Sequence, residues 1–337
     1  MKPEFELVDR RGFFGAAART GLVLGLAPMA AGSAAAEATN PFAYDLSKFE
    51  KTDPKLVTHE VAGRWTCVRK NARSVAAGPD DQIFVAAGNY VSAFAGDGHP
   101  GLDIALPDRV YCAAVAADGT IFAGTRSAVH VFDPRGREIA AWNSPEPKSW
   151  FTGIAPGAQD VFVADSGKRV ILRFSREGKP LGRAGEKNSA RGAPGLAVPS
   201  PYLSVLIHRD GLLRINNTGR HQVEAYSFDG EFAGAWGKPG FAIGGFCGCC
   251  NPVAIAALPD GRVVTAEKGL PRVKIYSAAG EFESVVAGTE LFPENARACS
   301  SLNDCAHGGL AVAANSRGRI YILDYVTNDV RVMQRKA

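Results

Sequence analysis

Short apolar runs separated by glycine-containing turns fill the chain from about residue 70 onward. In one repeat, Val253-Ala254-Ile255-Ala256-Ala257 leads into Pro259-Asp260-Gly261. A second run, Arg262-Val263-Val264-Thr265-Ala266, follows that turn, and a third, Arg272-Val273-Lys274-Ile275-Tyr276, ends near Gly280. Runs of this length, rich in β-branched and aromatic residues and bounded by Asp-Gly, predict strands joined by tight turns. The same order recurs around Asp118-Gly119, across Asp160 to Asp165, around Asp210-Gly211 and around Arg317-Gly318, with a looser copy at Asp80-Asp81. First turns fall near residues 81, 119, 159, 211, 261 and 318, so the period varies from about 38 to 57 residues.

One such sheet cannot bury both of its faces, but packing copies around an axis covers them. Six copies predict an all-β, six-bladed β-propeller over residues 56–337. The last copy stops after its third strand, Asp329 to Gln334. The run Leu56-Val57-Thr58-His59-Glu60-Val61-Ala62-Gly63 has no partner in the first copy. It is expected to supply the missing fourth strand and join the two ends of the chain.

The last repeat, with Arg319-Ile320-Tyr321-Ile322-Leu323-Asp324 before Val330-Arg331-Val332, resembles the NHL repeat over roughly residues 70–335. The resemblance implies the propeller architecture. It leaves function open, because enzymes, binding proteins and scaffolds share that fold.

The N-terminus follows a different pattern. Arg10-Arg11 precede Gly12-Phe13-Phe14, a mild apolar run from Thr20 to Ala31, and the small residues Gly32-Ser33-Ala34-Ala35-Ala36. This order resembles a bacterial twin-arginine export signal, which implies removal near Ala36 or Ala38 and a periplasmic or exported protein. Residues 37–55 then form a short polar lead-in. No strongly apolar run of membrane-spanning length occurs, so no transmembrane anchor is expected. The net charge of +4 and the absence of a long basic run give no reason to expect nucleic acid as a partner.

Candidate chemistry gathers in the long connections, read as Asp97–Arg109, Gly185–Pro201, Trp236–Pro252 and Ala287–Ala306. In a propeller these share one face with the loops between second and third strands, and long loops on rigid strands are where function concentrates. Cys247-Gly248-Cys249-Cys250-Asn251-Pro252 precedes the fifth repeat. Cys299, Cys305 and His307 precede the sixth. Neighbouring repeats bring the two loops within reach of each other, with Cys112 on the same face and Cys67 near the closing strand.

Three chemistries compete for these thiols. Disulfides would staple the two loops in an oxidising compartment. Alternatively, Cys247, Cys249, Cys250, Cys299 and Cys305, with His307 as an additional ligand, would hold a metal ion or an iron–sulfur cluster. Free redox-active thiols are the third reading. The Cys-x-Cys-Cys spacing is not the usual Cys-x2-Cys zinc pair. The same phrase, followed by Glu267-Lys268-Gly269-Leu270-Pro271-Arg272-Val273-Lys274-Ile275-Tyr276, resembles a bacterial group of exported NHL-type proteins. That resemblance implies a family and no mechanism.

Polar residues expected to line the channel mouth are Asp165, Arg169, Asn216, His221, Glu267, Lys268, Arg272 and Asp324, with Arg126 and Tyr325 on the same face. The function reading that follows is an exported binding or redox-accessory protein beside a periplasmic or membrane redox partner. A metal-dependent lyase or lactone hydrolase is the enzymatic alternative, and a protein-interaction scaffold is the third. Peptide-amidating lyases of the NHL type use histidine-rich metal sites. The six histidines here, at 59, 99, 130, 208, 221 and 307, show no matching set.

Overall fold

A computed structural model describes residues 47–295 and 308–337. The expected export signal (1–36), Cys299, Cys305 and His307 lie outside these residues. Among the described residues there are six antiparallel sheets of four strands each. Their innermost strands are Ala72–Ala77, Cys112–Val115, Phe151–Pro156, Val205–Ile207, Ala254–Ala257 and Leu310–Ala314. Each packs beside the next, and the sixth returns to the first, so the sheets form a closed six-bladed propeller.

Middle strands are buried on both faces. Ile83–Ala87, Asp160–Asp165, Leu213–Asn217 and Ile320–Asp324 are buried at every position. Apolar residues from adjacent blades pool into six clusters, one at each blade junction. The junction between blades four and five is the thinnest, with Val223, Ile255 and Val263 as its buried apolar members. Beside it the connection after Trp236 inserts Phe246, which has no exposed surface and contacts the rings of Trp236 and Tyr276.

A repeated contact holds outer strands to the following blade. Trp65, Trp142 and Trp236 each lie against a glycine at the outer turn of the next blade: Gly98, Gly178 and Gly280. All three glycines have positive φ, and a Cβ at any of them would overlap the indole. Glycine is therefore required both for the turn and for the close approach.

The ring closes as the sequence implies, with a small shift in register. His59–Thr66, rather than Leu56–Gly63, pairs antiparallel with Asp329–Arg335. Asn328 then ties this closure to blade one. Its amide donates to the carbonyls of Cys67 (3.1 Å) and Arg69 (2.8 Å) and accepts from Ala72 N–H (3.0 Å). Ahead of the strand, Thr58 N–H donates to Val285 O at 3.0 Å, so the lead-in also crosses onto blade five. One expectation needs correction. Asp97–Arg109 is not an extended connection, because Pro100–Ala105 forms the outer strand of blade one. Only Leu102 and Ile104 give that exposed edge an apolar alternation, too weak to identify from the sequence.

His59 sits within the closure and is buried. Burial, followed by the charges of Arg335, Arg262 and Lys336, pushes its imidazole down from 6.5 to about 4. The unfolded chain therefore takes up this proton at a higher pH than the folded chain. Its contribution to stability is complete above pH 6.5 and is lost as the pH falls toward 4. The slope from one such group is at most about 1.4 kcal/mol per pH unit. Urea unfolding at pH 7 and pH 5 should show a smaller loss of stability for His59→Gln than for the parent. Equal losses would contradict this role.

Candidate functional site

The innermost strands enclose an axial cavity of about 520 Å³. Its deeper wall is apolar, with Val75, Ile154, Val205, Ile255 and Val312 among the lining residues. Toward the connection face the lining changes to Arg73, Arg109 and Arg126 together with Tyr111, Trp150, Tyr202 and Tyr325. Each arginine lies over a ring: Arg73 over Tyr325 (5.2 Å), Arg109 over Tyr111 (5.5 Å) and Arg126 over Trp150 (4.7 Å). Such stacking leaves the guanidinium edges open for hydrogen bonding. No aspartate, glutamate or histidine lines the cavity among the described residues.

The aromatic rings are themselves held. Asp165 accepts Trp150 N–H at 2.9 Å and Lys168 N–H at 3.0 Å, fixing the entry to blade three. Tyr111 and Trp150 meet edge to face at 5.5 Å. Tyr202 stacks on Tyr325 at 6.5 Å, and its hydroxyl donates to Gly308 O at 2.8 Å. The Tyr325 hydroxyl donates to Arg73 O at 2.6 Å, a link from blade six to blade one across the ring closure.

Behind this mouth, the cysteine loop is anchored by a buried ionic knot. Glu267 is fully buried between Arg272 and Lys274, with contacts of 2.9 and 2.7 Å. Its second function is to accept Cys247 N–H at 2.9 Å. Lys274 Nζ also donates to Ile243 O (3.0 Å) and Gly245 O (2.6 Å), while Arg272 donates to Phe241 O (3.0 Å). Three charged side chains of blade five thus bind the backbone of the incoming loop. The flanking amides complete the frame. Asn251 donates to the carbonyls of Cys247 and Lys268 and accepts Lys268 N–H. Asn216 accepts Ser204 N–H and donates to Pro252 O, and the Asn251–Pro252 peptide is cis.

Burial raises the carboxyl pKa of Glu267, but Lys274 and Arg272 outweigh it and the net shift is downward. Burial dominates at Lys274 and lowers its ammonium pKa, against the pull of Glu267. Removing the carboxylate would leave two buried cations facing each other. We expect Glu267→Ala to lose about 3–5 kcal/mol of stability in urea unfolding. A loss under about 1 kcal/mol would show that the knot is not a structural anchor.

The structure thus reassigns several residues expected at the mouth. Asp165, Asn216, Glu267 and Asp324 have no exposed surface, and Arg272 has 2%. They lie under the rim, where their polar atoms bond loop backbone groups and buried ionic partners, except Asp165 Oδ2, which has no partner among the described residues. Asp324 accepts from Val326 N–H, Asn295 and Arg331 in the same manner. His221 is hydrogen-bonded to Gly248 O at 2.7 Å and supports the cysteine loop from blade four. Lys268 is buried, with its ammonium 4.8 Å from the Tyr202 ring, and connects the loop to the mouth. Arg169 is exposed at a left-handed turn position.

Among the described residues, Cys67 and Cys112 lie apart from the loop that carries Cys247, Cys249 and Cys250. Cys247 is buried, with its sulfur near Lys268 O and the Asn251 amide. Cys249 is exposed and Cys250 buried, their sulfurs 3.4 Å apart. Cys67, Cys112, Cys247 and Cys250 carry free thiols. Among the described residues, no group of three or more His, Cys, Asp or Glu side chains is arranged to hold a metal ion.

Burial pushes the thiols of Cys67, Cys112 and Cys247 up to about 12, with Glu267 adding to the effect at Cys247. Since the thiolate is the reactive form, these three should resist alkylation in the folded protein. Iodoacetamide at pH 8 with peptide mass mapping should label them only after guanidinium unfolding. Rapid native labelling of Cys247 would contradict the burial described.

Arg73, Arg109, Tyr111, Trp150 and Tyr202 carry no motif and were not singled out by sequence reasoning. The available signal was positional: each lies at or just before the start of an innermost strand, where the chain crosses the rim.

Ring, cavity and rim together define a six-bladed β-propeller with an axial cavity lined in part by residues of its connection face. No protein-family model and no curated protein matches the chain. Solved structures do share its architecture. Streptogramin B lyase superposes with a TM-score of 0.56 at 11% identity, covering 83% of this chain and 98% of its own. Virginiamycin B lyase from Staphylococcus aureus gives 0.56 at 13%, covering 82% of this chain and 100% of its own. A catalytically inactive histidine-to-alanine variant of that enzyme with quinupristin gives the same values. At these identities the likeness establishes the fold.

Proposed function

We propose that this chain is an exported binding propeller that takes a small organic ligand into the mouth of its axial channel. The observation that carries this reading is the axial cavity with an apolar wall and a rim of ring-stacked arginines. Its volume of about 520 Å³ lies within the usual size of small-molecule sites, roughly 300–1,000 Å³. Export is supported by Arg10-Arg11, the following aromatics and the small-residue stretch to Ala36. The cysteine loop, locked to blade five, serves as a rigid part of the rim. An accessory role beside a redox enzyme fits the exposed Cys249, whose sulfur lies 3.4 Å from that of Cys250 in the loop that Lys268 joins to Tyr202 at the rim.

The lyase alternative draws on the shared fold. The inactive variant of the Staphylococcus aureus enzyme replaces a histidine, and no histidine is among the described residues lining this cavity. Nor do the described lining residues include a carboxylate, so their donor set suits an anion better than a divalent cation. We therefore expect no turnover of quinupristin with divalent cations present, followed by liquid chromatography. A new enzyme-dependent peak would favour the lyase. The neutral dye N-phenyl-1-naphthylamine should bind saturably to one site, and absence of saturable binding would remove the binding reading.

A further inference from the structure

We propose that the ligand of this channel is an amphiphilic organic anion, its carboxylate or sulfonate head held by Arg73, Arg109 and Arg126. This rests on the channel reading and adds the chemical class. Arg73 belongs to blade one, Arg109 to the connection entering blade two, and Arg126 to the loop between that blade's second and third strands. The three lie in one sector of the rim. Among the described residues, none has a carboxylate partner, and the cavity they line contains no acidic side chain. Elsewhere arginines pair readily, as at Arg173 with Asp160 and Asp229, Arg262 with Asp260 and Arg331 with Asp324.

Like charges gathered around one cavity repel each other. Low-dielectric walls also focus their field into the opening, where an anion relieves the repulsion. The ring beneath each guanidinium limits its motion and leaves in-plane N–H groups available, the geometry that suits an oxyanion. Among the described residues, the indole N–H of Trp150, on the same wall, also lacks an acceptor.

The rest of the lining determines the remainder of the ligand. Leu203, Val205, Val253 and Ile255 come from blades four and five, opposite the arginines, and Ala311 and Val312 from blade six. This apolar half cannot reward a second charged or strongly polar group. A compact inorganic anion would leave it unfilled. An anionic head with a flat or aliphatic body matches both halves at once.

The test uses 1-anilinonaphthalene-8-sulfonate as the anion and N-phenyl-1-naphthylamine as its neutral counterpart, both followed by fluorescence titration. We expect the sulfonate to bind at one site. Combining Arg73→Gln, Arg109→Gln and Arg126→Gln should weaken it by about ten-fold or more, while neutral-dye affinity changes by less than about two-fold. 1-Naphthoate should displace the sulfonate dye, and 1-naphthalenemethanol should not. Unchanged sulfonate affinity in the triple variant, with the neutral dye still bound, overturns the anionic class and leaves the channel reading intact. Failure of both dyes overturns both. Among the described residues the three guanidiniums make no ion pair, so the variant's melting temperature should not fall. A salt titration of the parent gives a second reading without mutation. Sulfonate affinity should drop between 20 and 500 mM NaCl, and a salt-independent affinity overturns the proposal.

Discussion

A four-stranded sheet buried on both faces must have a neighbour on each side, and this requirement shapes the rest of the molecule. No blade can satisfy it alone, so six sheets cover each other in a ring, and the ring has to close. Closure uses a strand from before the first repeat, His59–Thr66, paired with the last strand of the chain. Asn328 then holds the strand's exit to blade one. Closing the ring also creates the channel, because six innermost strands around an axis leave a central space. The site is a geometric consequence of burying sheet faces, and the chain elaborates it by changing what stands at the rim.

That elaboration has two parts with different physics. At blade five, charges are buried and paired, and they fix a loop whose backbone would otherwise have few partners. Such an arrangement contributes rigidity and specific loop placement more than net stability, since the cost of dehydrating the ions offsets much of their attraction. At blades one and two, Arg73, Arg109 and Arg126 are half-buried or exposed at the rim and have no carboxylate partner among the described residues. With the paired charges below the rim and these arginines at the opening, the proposed reading separates support from recognition.

The fold was legible because its signals are local and repeated. Pro259-Asp260-Gly261 between two apolar runs defines a hairpin by itself, and six such units define the ring. The closing strand was legible because it had no other partner. The outer strand Pro100–Ala105 was not, since a solvent-facing edge needs little apolar pattern. The site was harder. Glu267, Arg272 and Cys247 stood out as a dense motif, and the structure does bring them together. Their role, however, depends on burial, which spacing does not reveal: a carboxylate with 0% exposure beside two cations serves as an anchor. Arg73, Arg109 and Trp150 are distant in sequence and carry no pattern. They converge only because the ring brings the starts of different innermost strands to one opening. Cys299, Cys305 and His307 lie outside the described residues, so their proposed partnership with Cys247, Cys249 and Cys250 stays a sequence expectation.

The central claim is one of place: recognition occurs at the connection-face end of the channel. Hydrogen–deuterium exchange with mass spectrometry, with and without saturating 1-anilinonaphthalene-8-sulfonate, tests it most directly. The account expects added protection in peptides containing Arg109 to Ala114, Arg126, Trp150 to Ile154 and Tyr202 to Val205, and none at the Asp118-Gly119, Asp210-Gly211 or Asp260-Gly261 turns. Protection concentrated at those turns, on the opposite face, would contradict it.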